Sequence, residues 1–192
     1  MKDRVTISFD LDGTLTTSRF VDSVWLKGLP ELVAGSLGIS FLAAQQMCRE
    51  AYSKAGDDSL VWYRLSYWLD YFGLDDVNPT AFIQGYRDRI ELFHDVLPVL
   101  EELVFNGYPL ILFSNAARDF LDLEVRDGGL ESFFNAVISV TDDWGMVKSD
   151  PAAFVRLQRM VLGDMVHAGD HLMFDYEVPA SVGIRSFHIC RD

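Results

Sequence analysis

Cysteine is scarce in this 192-residue chain. Cys48 and Cys190 are the only two, far apart and in no ligand-like spacing. That argues against a disulfide framework or a thiolate site, and a reduced, cytoplasmic compartment is the simplest expectation. Basic residues are also few, 16 Lys and Arg against 29 Asp and Glu, giving a formal net charge of −13. A nucleic-acid backbone needs clustered Lys and Arg, so the composition speaks against that partner. A small phosphorylated ligand stays open, because one divalent cation can dominate the field locally. No apolar run approaches the about 18 residues of a membrane span. Met1-Lys2-Asp3-Arg4 leads straight into a strand pattern, with no signal-peptide core. The sequence has no repeat and no low-complexity segment, and it does not fix an oligomeric state.

What is abundant is apolar and aromatic: 49% of residues are hydrophobic and 13% aromatic, enough for a sizeable core. The length suits one large domain, or a core with one insertion. Val5-Thr6-Ile7-Ser8-Phe9 is a β-branched run that reads as a buried strand, and Asp10-Leu11-Asp12-Gly13-Thr14-Leu15 follows it. Alternate residues of an extended segment point the same way, so Asp10 and Asp12 are expected to face one site. Burying two acids together is costly unless a cation or hydrogen-bond donors compensate. Alone, Asp12-Gly13 would be read equally well as a plain turn.

Residues from about 16 to 94 read as almost wholly helical. Ser40 is expected to cap a helix reaching Lys54, with Phe41, Ala44, Cys48 and Ala51 on one face. A second helix is expected over Leu60 to Phe72, ended by Gly73, and a third after Asn78-Pro79 with Phe82, Ile83, Tyr86 and Ile90 inward. Such aromatic stripes read as the core of a small bundle, so Trp25, Trp62, Tyr63 and Trp68 are assigned to packing rather than to substrate contact.

From Asp95 the pattern alternates. A helix over Val96 to Phe105, with Val99 among its inward residues, precedes a strand at Tyr108 to Phe113. A helix from Ala117 to about Arg126 precedes a strand at Ala136 to Val140. A helix from Asp150-Pro151 to Val161 precedes strands at Met165 to Ala168 and Ser186 to Cys190. Strands alternating with helices indicate parallel βαβ units, hence an α/β fold: a Rossmann-like open parallel sheet. About 80 helical residues are too many for a connection within such a sheet. The expected division is a catalytic core of residues 1–15 and 95–192, and a helical cap of residues 16–94 on linkers near Leu15–Arg19 and Glu91–Asp95.

Ligands of open α/β sheets bind outside the carboxyl ends of the strands. Asp10 and Asp12, then Ser114-Asn115, then Asp170 fall just beyond such ends, Asp175 follows a few residues on, and Lys148 precedes a helix start. Three acids at strand ends, a hydroxyl, an amide and a lysine suit a metal-and-phosphate site. A phosphate dianion repels a carboxylate nucleophile, so attack needs charge neutralisation. Mg²⁺ fits carboxylates, a carbonyl, phosphate and water. Ser114 and nearby N–H groups can hold phosphoryl oxygens, Lys148 can offset charge, and a second carboxyl can shuttle the leaving-group proton.

In order and spacing these elements resemble the four motifs of the haloacid dehalogenase-like (HAD) hydrolases, and the cap position resembles the phosphoglycolate phosphatase-like members. The resemblance implies a magnesium-dependent phosphatase. Asp10 would be the nucleophile that forms an aspartyl-phosphate and Asp12 the general acid/base. Thr14, Ser114, Asn115 and Lys148 would contact the substrate. The metal would be held by Asp10, the Asp12 backbone carbonyl and Asp170, with Asp175 supporting Asp170. The expected substrate is a small phosphorylated metabolite. Three positions depart from the family pattern: Ser149 for a proline, His171 for a serine and Pro179 for a glycine. His94 and His167 read as structural. Within the family an acid at position 12 fits an oxygen leaving group rather than a halide. A phosphomutase, or a non-catalytic binding protein on the same fold, is the alternative reading.

Overall fold

The computed structural model describes residues 5–191. Five strands form one sheet: β1 (Thr6–Phe9), β2 (Leu110–Ser114), β3 (Ala136–Ser139), β4 (Met165–Gly169) and β5 (Arg185–His188). Their spatial order is β3-β2-β1-β4-β5, and every pairing is parallel. β1 therefore lies at the centre, and its carboxyl end is flanked by those of β2 and β4. Successive residues of β2 serve opposite faces, as a pleated strand requires. Leu110 and Leu112 pack with Val96, Leu100, Leu121 and Val125 on one side. Ile111 and Phe113 pack with Ala153, Phe154 and Leu157 on the other. Both faces are thus covered by helices, as parallel sheets require.

Between β1 and β2 the chain builds a helical cap. A long helix, Arg19–Leu37, is π-helical over Ser23–Gly28. Phe41–Ala55 follows, capped by Ser40, whose side chain accepts from the Ala43 N–H. Leu65–Tyr71 and Pro79–Gln84 complete the layer. Phe20, Val24, Leu29, Cys48, Leu65 and Trp68 form its interior, and that interior runs on into Ala117, Phe120 and Leu123 of the core. The helix Arg118–Asp127 is therefore buried on two sides. Where the cap joins the core, the two linkers run antiparallel: Thr17 N–H donates to Glu91 O at 2.8 Å and Phe93 N–H to Leu15 O at 3.1 Å. Among the described residues no single helix is long and apolar enough to cross a membrane, and one bent pair, Arg19–Leu37 with Phe41–Ala55, passes by length and composition together.

Several expected elements need correction. The helix expected over Leu60 to Phe72 is interrupted at Arg64, which is extended; Leu60–Tyr63 is a 3₁₀ turn and only Leu65–Tyr71 is α-helical. The helix after Pro79 ends at Gln84 and is followed by a 3₁₀ turn, Arg87–Arg89. The helix from Pro151 stops at Gln158, short of Val161. Val140 leaves β3 to open a short helix, Val140–Trp144, because Ser139 caps it through Asp142 N–H. β2 begins two residues later than Tyr108, and β5 spans Arg185–His188. Val99 and Phe41 face outward, since Val96 and Leu100, and Ala44 and Cys48, already fill the buried stripes of their helices.

Candidate active site

The carboxyl ends of β1, β2 and β4 bring the sequence-selected residues together. Asp10, Asp12, Ser114, Asn115, Lys148, Asp170 and Asp175 all line one cleft of about 320 Å³. Lys148 is at its centre, 2% exposed, with Nζ 2.5 Å from Asp10 Oδ1 and 2.6 Å from Asp175 Oδ1. Thr14 is fully buried, and its hydroxyl lies 3.4 Å from Asp10 Oδ2 and 3.5 Å from Asp170 Oδ1. Gly13 turns the chain with φ +74°, and a Cβ there would lie 2.3 Å from Asp170 Oδ2, so only glycine fits both the conformation and the approach.

One carboxylate oxygen from each of Asp10, Asp170 and Asp175 lies within 4.8 Å of the others. These are hard oxygen donors of the kind Mg²⁺ prefers. Asp175 is less free than its neighbours. Its Oδ1 accepts from Lys148 and pairs with His167 Nε2 at 3.0 Å, while Oδ2 accepts the His171 N–H at 3.0 Å. Asp10 and Asp170 therefore keep the open oxygens. Four acids, Asp10, Asp12, Asp170 and Asp175, share the cleft with one lysine, and buried Glu124 lies beside Asp12. The excess negative charge, and an Asp12 Oδ1 buried with no hydrogen-bond partner among the described residues, fit a site built for one more cation.

The protonation states follow from burial and neighbours. Burial drives the Asp10 carboxyl well above the ordinary range, and Lys148 opposes this. Burial lowers the affinity of Lys148 for its proton, but Asp10 and Asp175 outweigh it and hold the ammonium charged. Burial also opposes ionisation of Asp175, yet Lys148 and His167 bring it well below the usual carboxylate range. Asp12 is pushed up to about 6, chiefly by burial. His167 is lowered by burial, against the pull of Asp175. Its Nδ1 lies 2.7 Å from Ser8 Oγ, so a hydrogen-bonded line runs Ser8–His167–Asp175–Lys148–Asp10.

Ser114 and Asn115 occupy the tip of β2. Ser114 Oγ accepts from Ala116 N–H at 3.0 Å. The Asn115 amide is held at both ends: Oδ1 accepts the Lys148 N–H, and Nδ2 uses one of its two hydrogens to donate to Tyr63 Oη at 2.9 Å. That last bond reaches from core to cap. It corrects the reading of Tyr63 as cap packing, and Trp25 and Trp62 likewise line the cleft, whereas Trp68 is interior. His171 stacks on Phe174 at 4.0 Å and stands 3.9 Å from Asp57 of the cap. Pro179 is buried at the start of a short helix, Val178–Ser181, while Ser149 is half-buried. His94 is exposed at the linker.

Two residues escaped the sequence reading. Glu124, fully buried on the core helix that abuts the cap, has burial and then Asp12 raising its carboxyl well above the usual range. It falls four residues after Phe120 and three after Leu121, so an acid on a buried stripe was the available signal. His167 was visible only as a histidine inside a strand.

Similar proteins share this fold. A GMP/IMP nucleotidase of Escherichia coli is 31% identical over 149 residues, 78% of this chain; the chain spans 65% of that relative's length. The crystal structure of a HAD phosphatase from Thermococcus onnurineus superposes with a TM-score of 0.86 at 26% identity, covering 98% of this chain and 87% of the other. A HAD-hydrolase of Bacillus subtilis bound to magnesium shares the fold, with a TM-score of 0.63 at 19% identity over 95% and 87% of the two chains. The haloacid dehalogenase-like hydrolase family matches residues 5–183, nearly the whole chain. With its four sequence elements gathered at one end of one parallel sheet, the chain belongs to the haloacid dehalogenase-like hydrolases.

Proposed function

We propose that the protein is a magnesium-dependent phosphatase that hydrolyses a small phosphate monoester through a phosphoryl group carried on Asp10. The observation that carries this reading is the close approach of Asp10 to both Lys148 and Asp170. Asp10 Oδ1 is held by Lys148, and its other oxygen faces Thr14 and the open side of the cleft. Asp10, Asp170 and the Asp12 carbonyl would hold Mg²⁺, which supplies charge neutralisation between carboxylate and phosphate. Ser114, Asn115 and Thr14 would bind and orient the phosphoryl oxygens. Lys148 counters the charge that gathers on the transferring group. Asp12, with a carboxyl held near pH 6, is suited to give a proton to the leaving oxygen and later take one from water. Asp175 and His167 position Lys148.

The division into a core of residues 1–15 and 95–192 and a cap of residues 16–94 is part of the same proposal, supported by the paired linkers at Thr17 and Glu91. Cap closure would exclude water from the cleft. The nucleotidase relative puts purine nucleoside monophosphates among the first esters to assay. The two free cysteines favour a reducing, cytoplasmic setting. The test is hydrolysis of p-nitrophenyl phosphate with and without Mg²⁺. Wild type should release phosphate only with the metal, and Asp10→Asn should abolish release; undiminished activity in that variant would reject the nucleophile.

A further inference from the structure

We propose that the cleft selects a phosphomonoester whose leaving group carries a planar ring and no second negative charge, and that Trp25 and Trp62 choose it. This rests on the phosphatase reading and adds the half of the substrate that reading leaves open.

Opposite Asp10 the cleft is walled by aromatic side chains. Trp25 lies parallel to Phe120, with centroids 5.4 Å apart and planes 15° apart. Trp62 continues the wall 6.4 Å from Trp25, and Tyr63 is 5.2 Å beyond it. Trp25 and Trp62 are only half-buried, so part of each ring remains available. Trp25 sits in the π-helical stretch Ser23–Gly28, and Phe174 and Asp175 sit in a second one, Leu172–Glu177. Both irregular turns bring side chains to this cleft. π-Turns are rare and occur frequently at functional sites.

Charge narrows the ligand further. Among the described residues that line the cleft, Lys148 is the only lysine or arginine, and its two carboxylate partners engage it. No free lysine or arginine on the wall is left to neutralise a carboxylate or second phosphate on the leaving group, and His171 faces Asp57 at 3.9 Å. Asp22 and Asp57, at the rim, would repel one. A quaternary ammonium is less well served than a flat ring. Trp25 and Phe120 are stacked into a wall rather than turned to converge on a point. A cleft of about 320 Å³ takes one ring system beside a phosphate.

The experiment compares kcat/KM, with Mg²⁺ present, for guanosine 5′-monophosphate, ribose 5-phosphate, 2-phosphoglycolate and phosphocholine. The nucleotide should exceed ribose 5-phosphate, which lacks only the base, by about 10- to 100-fold, the range for one ring stacked on an aromatic side chain. Phosphoglycolate should be no better than ribose 5-phosphate. Trp62→Ala and Trp25→Leu should bring the nucleotide-to-ribose ratio near one, while Trp62→Phe keeps most of it. Thermal melts of each variant check folding. A wild-type ratio near one, a preference for phosphoglycolate or phosphocholine, or variants that lower both esters alike would overturn the assignment and leave the phosphatase reading standing. Equilibrium binding of the nucleotide and ribose 5-phosphate to Asp10→Asn separates the two claims. Ring-selective binding without turnover in wild type would defeat the phosphatase and keep the assignment; equal binding would defeat the assignment.

Discussion

Nζ of Lys148 lies 2.5 Å from Oδ1 of Asp10 in the interior, with the two side chains 3% and 9% exposed. A charge so placed is indispensable to its partners. Lys148→Met would leave Asp10 and Asp175 buried without their counter-ion, and removing one member of a buried pair costs about 3–5 kcal/mol. Denaturant unfolding of the metal-free variant should show that loss, and phosphatase turnover should fall together with it.

Asp12 makes the opposite prediction for stability. Its carboxyl is raised to about 6 in the fold, against about 3.9 in an unfolded chain. The folded state therefore holds its proton more tightly. The favourable contribution is full below about pH 4 and is lost as pH rises through 6. At pH 7 the metal-free protein carries a strain of roughly 2–3 kcal/mol from this group. Asp12→Asn should be more stable than wild type at pH 7 without metal and about equal to it at pH 4. Its phosphatase rate should drop about 10²- to 10⁴-fold, the usual share of a proton-transfer group.

His167 tests the line behind the lysine. His167→Leu removes one of the two partners of Asp175 Oδ1 and leaves Ser8 Oγ without its ring partner. Loss of such a supporting bond typically costs about 10- to 100-fold in activity or metal affinity. The fall should appear in kcat more than in KM, and His167→Gln, which keeps a donor, should recover part of it.

Gly13 tests the close approach of the β1 turn to Asp170. Gly13→Ala puts a Cβ at φ +74° and 2.3 Å from the Asp170 carboxylate. The Asp170 carboxylate must then leave its present position. Calorimetric titration with Mg²⁺ should show weakened binding, while the far-ultraviolet circular dichroism stays that of the wild type.

Much of this was legible in the sequence because its signals are local. The run Val5 to Phe9, the acids just beyond it and the apolar stretch ending at Phe113 each sit within a few residues, and strand ends fix where side chains converge. The break at Arg64 was not legible. The helical spacing of Val61, Leu65 and Trp68 continues through it, and the extended backbone there belongs to a segment in which Tyr63 is bound by Asn115, 52 residues away. That Trp25 and Trp62 also line the cleft was not legible for a related reason. Periodicity places an aromatic on the buried side of a helix, but it does not say whether that side meets a core or a cleft. Glu124 was hidden because an acid in an amphipathic helix reads as solvated until its neighbours are known.

The account rests most directly on where the phosphoryl group goes. Wild-type protein with Mg²⁺ and a good ester is quenched in acid during turnover, and the peptides are mapped by mass. The account predicts a phosphoryl adduct on the peptide holding Asp10, absent from Asp10→Asn. Phosphate release with no adduct on that peptide, and with Asp10→Asn as active as wild type, would contradict it.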